Sequence, residues 1–181
     1  MKPVKESFAF IVRPATSDDR EARRLVSLAT WKHAYAHIFT LDLIERVFAG
    51  QVAFHAAWET QRRQHLPGFV AVSSDNSVIG HLGTALWESP EGVPPVGEVT
   101  VLYLLPEWHG LGVGHALWNA ARADLQTRGC RTLWVYVLAK AAAVQFYERQ
   151  GGVHTVDDVI VLDEQREAVR GYRVDLTSSA L

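Results

Sequence analysis

The chain has 181 residues, 48% of them hydrophobic and 21% charged, with a formal net charge of −2; this is the profile of one globular domain, residues 1–181, able to bury a core without disulfides or a structural metal. The near-neutral balance gives no general attraction to nucleic acid or anionic membrane, and the single cysteine, Cys130, excludes an intrachain disulfide and argues against Cys ligation of zinc. No apolar stretch reaches the roughly 18 residues a membrane helix needs, and MKPVKESFAFIVRP lacks the apolar core of a secretory signal, so a cytoplasmic protein is expected.

FAFIVRP (8–14) reads as a first strand ended by Pro14. Thr16, Ser17 and Asp18 are all suitable N-caps, Asp18 and Glu21 have capping-box spacing, and Ala22, Leu25, Val26 and Ala29 fall on one helical face. Thr40 is placed to cap a second helix that buries Leu43, Ile44, Val47 and Phe48, with Gly50 as its break. A further helical stretch is expected through Trp58 towards Arg63, stopped by Pro67 and Gly68. FVAVS and SVIGHLGTAL flank Asp75-Asn76 as a β-hairpin. After a Pro/Gly loop (87–97) come a strand EVTVLYLL, a helix over 112–128 closed by Gly129, a strand TLWVYV (132–137), a helix over 139–150 and two closing strands, VHTVDDVIVL and VRGYRVDL. The order β-α-α-β-β-β-α-β-α-β-β predicts one mixed sheet with helices on both faces. Trp118 and Trp134 are expected in the core.

The segment LLPEWHGLGVGHALW carries glycines at 110, 112 and 114 between a strand and a helix. A helix N-terminus offers unpaired N–H groups and the positive end of a dipole, so it accommodates an anion. Glycines let a phosphate approach the backbone and permit unusual φ values. A pyrophosphate held by amides between about 110 and 115 is one reading; a turn that merely lets helix and strand pack closely is the other. Neither GxxxxGK[ST] nor GxGxxG fits the spacing.

With its neighbours, this segment resembles the GCN5-related N-acetyltransferase (GNAT) superfamily. LYLLPEWHGLGVGHAL is similar to the family's acetyl-CoA motif, and LWVYVLAKAAAVQFYERQGG to its second conserved block. The first strand with its capped helix, Trp31 with Tyr35, and the closing strands extend the resemblance over nearly the whole chain. It implies an α/β fold with a central mixed, mostly antiparallel sheet of about seven strands flanked by about four helices, and acetyl-CoA as cosubstrate with no metal. The cosubstrate would be held by Leu102, Tyr103 and Leu104 along the strand, by His109, Gly110, Leu111, Gly112, Val113, Gly114 and His115 in the loop, and by Lys140. His109 replaces the usual Arg or Gln, and Lys140 replaces the usual Asn, losing an N-cap; its side chain either meets a CoA phosphate or points into solvent.

An acceptor amine must lose a proton before it attacks a thioester, since a lysine-type amine has a pKa of about 10.4. The resemblance makes Glu98 a general base, or a charge that orients the ammonium group; otherwise it is a polar strand-end residue. Keeping such a carboxylate basic would require apolar neighbours. Val135 stands where a different branch, the ribosomal-protein alanine acetyltransferases, carries its glutamate. The oxyanion would be met by an amide at a strand bulge, mapped to about Leu104. Tyr147 matches the general acid that protonates the leaving thiolate; as a bare residue it is a core tyrosine beside Phe146. Trp31, Tyr35 and His33 are candidates for the acceptor pocket, or simply pack the helix. His33 and His37 have metal-pair spacing, but without an HExxH-type motif no metal is expected. Cys130 is expected to be a buried small residue.

The expected activity is transfer of an acetyl group to a primary amine of a small molecule or peptide, by direct attack in a ternary complex. The alternative is a non-catalytic acyl-CoA-binding sensor or interaction module on the same fold. No nucleic-acid or membrane partner is expected, and pairing of sheet edges or closing strands, frequent in the family, makes a homodimer an open expectation.

Overall fold

The computed structural model describes residues 9–52, 54–56 and 63–177. Eight strands form one sheet in the order β1-β3-β4-β5-β6-β8-β7-β2. They are β1 (Phe10–Pro14), β2 (Phe54–Ala56), β3 (Arg63–Ser73), β4 (Val78–Trp87), β5 (Val96–Leu104), β6 (Thr132–Leu138), β7 (Val153–Leu162) and β8 (Gln165–Asp175). Only β5 and β6 run parallel; every other pairing is antiparallel. Among the described residues the α-helices are α1 (Arg20–Ala34), α2 (Leu41–Phe48), α3 (Val113–Thr127) and α4 (Val144–Arg149). The fold is the expected mixed α/β sheet with helices on both faces. The strand added to the expected seven is the short β2, at the edge beside β7.

The helices segregate by what β4 and β5 offer each face. Gly80 and Gly97 lie under α3, where a Cβ at Gly80 would come 3.4 Å from Leu117 and one at Gly97 would come 2.8 Å from Leu125. Those glycines let α3 sink Leu117, Trp118, Ala121 and Leu125 completely. α1 covers the opposite face, with Ser27 bonded to His81 and Trp31 to Tyr103.

The Thr40 cap is present: its Oγ1 accepts from the Leu43 N–H at 3.2 Å. The entry to α1 differs from the expected Asp18–Glu21 pairing. The Thr16 N–H and Oγ1 donate to Asp19 at 2.8 and 3.1 Å, and Arg13 adds two bonds to the same carboxylate. The helix expected through Trp58 lies mostly outside the described residues, but Arg63 itself opens a strand, β3. Pro67 and Gly68 interrupt that strand as a bulge: the register slips between Leu66 and Phe69, and Gly68 has φ +71° where the Leu82 carbonyl leaves no room for a side chain. α4 is shorter than expected, beginning at Val144 because residues 139–143 form a turn tied to β8 by the Ala139 N–H to Ala168 O bond. Trp134 is half-buried rather than in the core. Among the described residues no helix is long and apolar enough to cross a membrane.

Candidate active site

β5 and β6 pair only from Val96↔Thr132 to Val99↔Val135. Beyond that point β5 runs on to Leu104 and β6 to Leu138 with no pairing between them, so the sheet opens as a V. A bulge marks where the strands part: Gly83 faces Val101 and Thr84 faces Val99, leaving Thr100 as the extra residue. Such a bulge bends its strand and re-aims the groups that follow. It falls at Thr100, four residues before the position expected near Leu104. The Leu104 carbonyl is already engaged, accepting from Thr30 Oγ1 at 2.9 Å and approached by His109 Nε2 at 3.3 Å.

A cavity of about 120 Å³ occupies the opening, lined by Leu102 and Tyr103 of β5, Val137 and Leu138 of β6, and by Trp31, Tyr35 and Tyr147 among others. Leu104 is not among its lining residues, and no lining side chain is charged. Trp31 donates its indole N–H to the Tyr103 hydroxyl at 2.8 Å and meets Tyr35 edge-on. It also stacks on Phe39. Trp31 and Tyr35 therefore both pack the helix and face the cavity. The His33 ring is exposed and lies instead beside His109, 6.2 Å between centroids. Burial raises the phenol pKa values of Tyr35 and Tyr147, and proximity to Tyr103 raises both further. All three phenols are therefore protonated at neutral pH and present O–H groups to one small space.

The glycine segment lies at the open end. Gly110 and Gly112 have φ of +74° and +83°. A side chain at either would meet no atom within 4 Å. Backbone conformation therefore demands these glycines, and the space above them is open. Gly114 is different, sitting inside α3 with Leu104 and Phe146 each 3.7 Å from a notional Cβ, which is ordinary contact. The first helical bond of α3 runs from the Ala116 N–H to the Gly112 carbonyl. The N–H groups of Val113, Gly114 and His115 thus have no intrahelical acceptor, which is the donor set an anion requires.

Glu98 is 2% exposed, but its surroundings are not apolar. Nη1 of Arg63 lies 2.7 Å from both carboxylate oxygens, and the Trp87 indole N–H donates to Oε2 at 2.7 Å. The carboxylate is ion-paired and hydrogen-bonded, not set among apolar neighbours. Trp87, Trp134 and Tyr136 stack in series beside this pair, with interplanar angles of 18° and 14°. Tyr136 lines the cavity and connects it to the charges: burial raises its phenol pKa, the Glu98 and Asp158 carboxylates add to that, and Arg63 opposes them.

Arg63 and Asp158 were absent from the sequence-based candidates. Arg63 falls where a helix was expected, and nothing local signals its partner on β5. Asp158 did leave a signal: it shares strand parity with the buried Ile160 and Leu162, so alternation places it on the inner face. Lys140 is exposed, as the solvent alternative expects, and its Nζ is bound to Glu167 at 3.0 Å. Its carbonyl is approached by His37 Nε2 at 3.3 Å. Cys130 is buried, which raises its thiol pKa. Among the described residues no cluster of His, Cys, Asp or Glu is arranged to hold a metal ion.

The model of the Acetyltransferase (GNAT) family matches residues 22–152. Mycothiol acetyltransferase of Cellulomonas flavigena is 36% identical over 99 residues, which is 51% of this chain and 28% of that protein. The chain thus spans less than a third of the length of this curated relative. Among solved structures, a GCN5-related N-acetyltransferase from Rhodopseudomonas palustris superposes with a TM-score of 0.65 at 16% identity, covering 91% of this chain and 94% of the other. The PaiA N-acetyltransferase of Thermoplasma acidophilum, solved in complex with coenzyme A, gives 0.61 at 18% identity, covering 92% and 99%. These two likenesses establish the shared fold. With the family match extending from α1 through α4, the chain belongs to the GNAT family of acetyltransferases.

Proposed function

We propose that this protein is an acetyl-CoA-dependent N-acetyltransferase that joins an acetyl group to a primary amine of a small molecule or peptide by direct attack, its residues 1–181 acting as one domain. The observation that carries the reading is the parting of β5 and β6 beside a helix N-terminus whose first three N–H groups have no intrahelical acceptor, next to the open space at Gly110 and Gly112. The unpaired edge of β5 suits a pantetheine arm laid along Leu102 and Tyr103 as an added strand. The amides of residues 111–115 suit the pyrophosphate, with His109 at the rim. Lys140, tied to Glu167, contributes to this site through the turn it builds rather than through its charge.

In the transfer a C–N bond forms, the thioester C–S bond breaks, and the amine releases a proton. Tyr147 is the group we assign to the departing sulfur. Its elevated pKa keeps the phenol neutral, so its O–H can donate as negative charge develops on sulfur. Sulfur takes that proton and leaves as the thiol, and the phenol regains a proton from water, which receives the one the amine gives up. Glu98, held by Arg63 and Trp87, acts as a fixed charge rather than a proton acceptor; the half-buried Asp158 adds negative charge that attracts an ammonium acceptor, and the amine proton leaves to water. Trp31 and Tyr35 form the apolar wall on the acceptor side.

The test is to mix the protein with acetyl-CoA and a panel of amino acids, small primary amines and short peptides, and to follow free thiol. Acceptor-dependent thiol release is expected. Coenzyme binding without release for any acceptor class would overturn the enzymatic reading and favour an acyl-CoA sensor.

A further inference from the structure

A second cavity, about 500 Å³, lies on the α1 face away from the glycine segment. Its wall includes Arg20, Arg23 and Arg24 with Ser17, Ser27 and His81, and no carboxylate lines it. The arginines have i, i+3, i+4 spacing, so all three emerge from one side of α1. They stand in the first two turns of that helix, where the macrodipole disfavours cations and the guanidinium groups repel one another. Arg24 is held by Glu21 at 2.8 and 2.9 Å. Among the described residues Arg23 has no such partner: it makes a long contact of 3.3 Å to the Pro67 carbonyl. Burial lowers its pKa, and Asp19, the carboxylate that opposes this, is already bonded by both terminal nitrogens of Arg13.

His81 forms the inner wall and is 4% exposed. Ser27 Oγ donates to the Arg23 carbonyl at 2.9 Å, so it accepts from His81 Nε2 at 2.8 Å. That assignment makes Nδ1 the bare ring nitrogen, and Nδ1 has no hydrogen-bond partner. Burial and the charge of Arg23 pull the His81 pKa down to about 3. Among the described residues this corner therefore holds a partly desolvated cation without a bonded counter-ion beside a buried ring with an unsatisfied nitrogen. The unpaired guanidinium is a cost to the folded protein that an anion would offset, whereas the bare Nδ1 is an acceptor that only a donor could satisfy.

We propose that this cavity is a second ligand site, for a small molecule bearing a phosphate group, distinct from the coenzyme site. The guanidinium groups of Arg20 and Arg23, with Arg24 beside them bonded to Glu21, suit a dianionic tetrahedral group better than a single carboxylate. The volume exceeds one bare phosphate, leaving room for an organic part. The site is separate from the glycine segment: Arg23 stands ten residues before His33, which touches His109, and at 1.5 Å per residue that is about 15 Å along α1. It is still connected to the catalytic cavity, since the His81 ring contacts the Tyr103 ring edge-on at 5.7 Å.

The test is calorimetry and thermal denaturation of the full chain with inorganic phosphate, O-phosphoserine and, for comparison, acetate, each with and without saturating coenzyme A. Saturable binding of phosphate or O-phosphoserine is expected, undisturbed by coenzyme A and at least tenfold weaker for acetate. Stronger binding of O-phosphoserine would assign the ligand to organic phosphates, and equal binding to free phosphate. Arg23→Gln should weaken binding by tenfold or more. Arg20→Gln, at an exposed position that should not disturb folding, should weaken it severalfold, while Arg122→Gln on α3 should leave it unchanged. Absence of saturable binding, displacement by coenzyme A, or full binding by both Arg20→Gln and Arg23→Gln would overturn the proposal.

Discussion

Nη1 of Arg63 sits 2.7 Å from both oxygens of Glu98, and both side chains are almost wholly buried. Removing one partner of such a pair strands the other charge in a low-dielectric site. Glu98→Gln is therefore expected to lower stability by about 3–5 kcal/mol, measurable by urea denaturation. It should lower the rate while leaving the acidic limb of the pH–rate profile in place. Disappearance of that limb, with stability retained, would make Glu98 the proton acceptor.

Tyr147→Phe removes one oxygen from a packed cavity and leaves the ring contacts with Trp118 and Phe146 intact. Under the acid assignment kcat falls about 10²-fold, while coenzyme affinity measured by calorimetry changes little. Equal losses in both would point to a binding role instead.

The two kinds of glycine at the head of α3 separate conformation from access. Gly112→Ala should cost about 1–2 kcal/mol because its φ is +83°, and should also weaken coenzyme binding. Gly114→Ala should leave stability within about 0.5 kcal/mol of the parent, since a methyl there makes only ordinary contacts, yet weaken the coenzyme if a phosphate approaches that amide. Thermal denaturation paired with calorimetry distinguishes the two.

Lys140→Ala should leave coenzyme affinity unchanged, because the ammonium group is bound to Glu167 and not to the glycine segment. A tenfold loss of affinity in calorimetry would return Lys140 to the phosphate site.

Asp19 supplies the pH dependence. Hydrogen bonds from Arg13 hold its carboxyl well below the ordinary range, against the opposing effect of burial, and bonds from Thr16 add to them. Its native pKa thus lies below the unfolded value of about 3.9. The stabilisation is complete above that value and is lost as pH falls towards the native pKa. The stability gap between the parent protein and Asp19→Asn should be constant above about pH 5 and shrink on acidification. A gap that widens in acid would contradict the ion-pair account.

Local chemistry made most of the fold legible. The Thr40 cap, the Asp75-Asn76 turn and the strand–glycine–helix passage are each determined within a few residues, and each stands where the sequence places it; Asn76 adopts φ +67° between the paired strands β3 and β4. Pro67-Gly68 misled because the same two residues end a helix or bulge a strand, and only the pairing with β4 decides between them. The short α4 follows from the turn beside β8, a contact across 29 residues that no local pattern encodes. For the site, the glycines were legible because positive φ is a backbone property. The partner of Glu98 was not, since Arg63 is 35 residues away and reaches it only once β3, β4 and β5 are in register.

The most direct measurement is a ¹H–¹⁵N NMR titration of the protein with coenzyme A. The account predicts large shifts for the amides of residues 111–115 and for Leu102 and Tyr103, with α1 residues 20–24 unmoved. Saturable binding that leaves residues 111–115 undisturbed would contradict it.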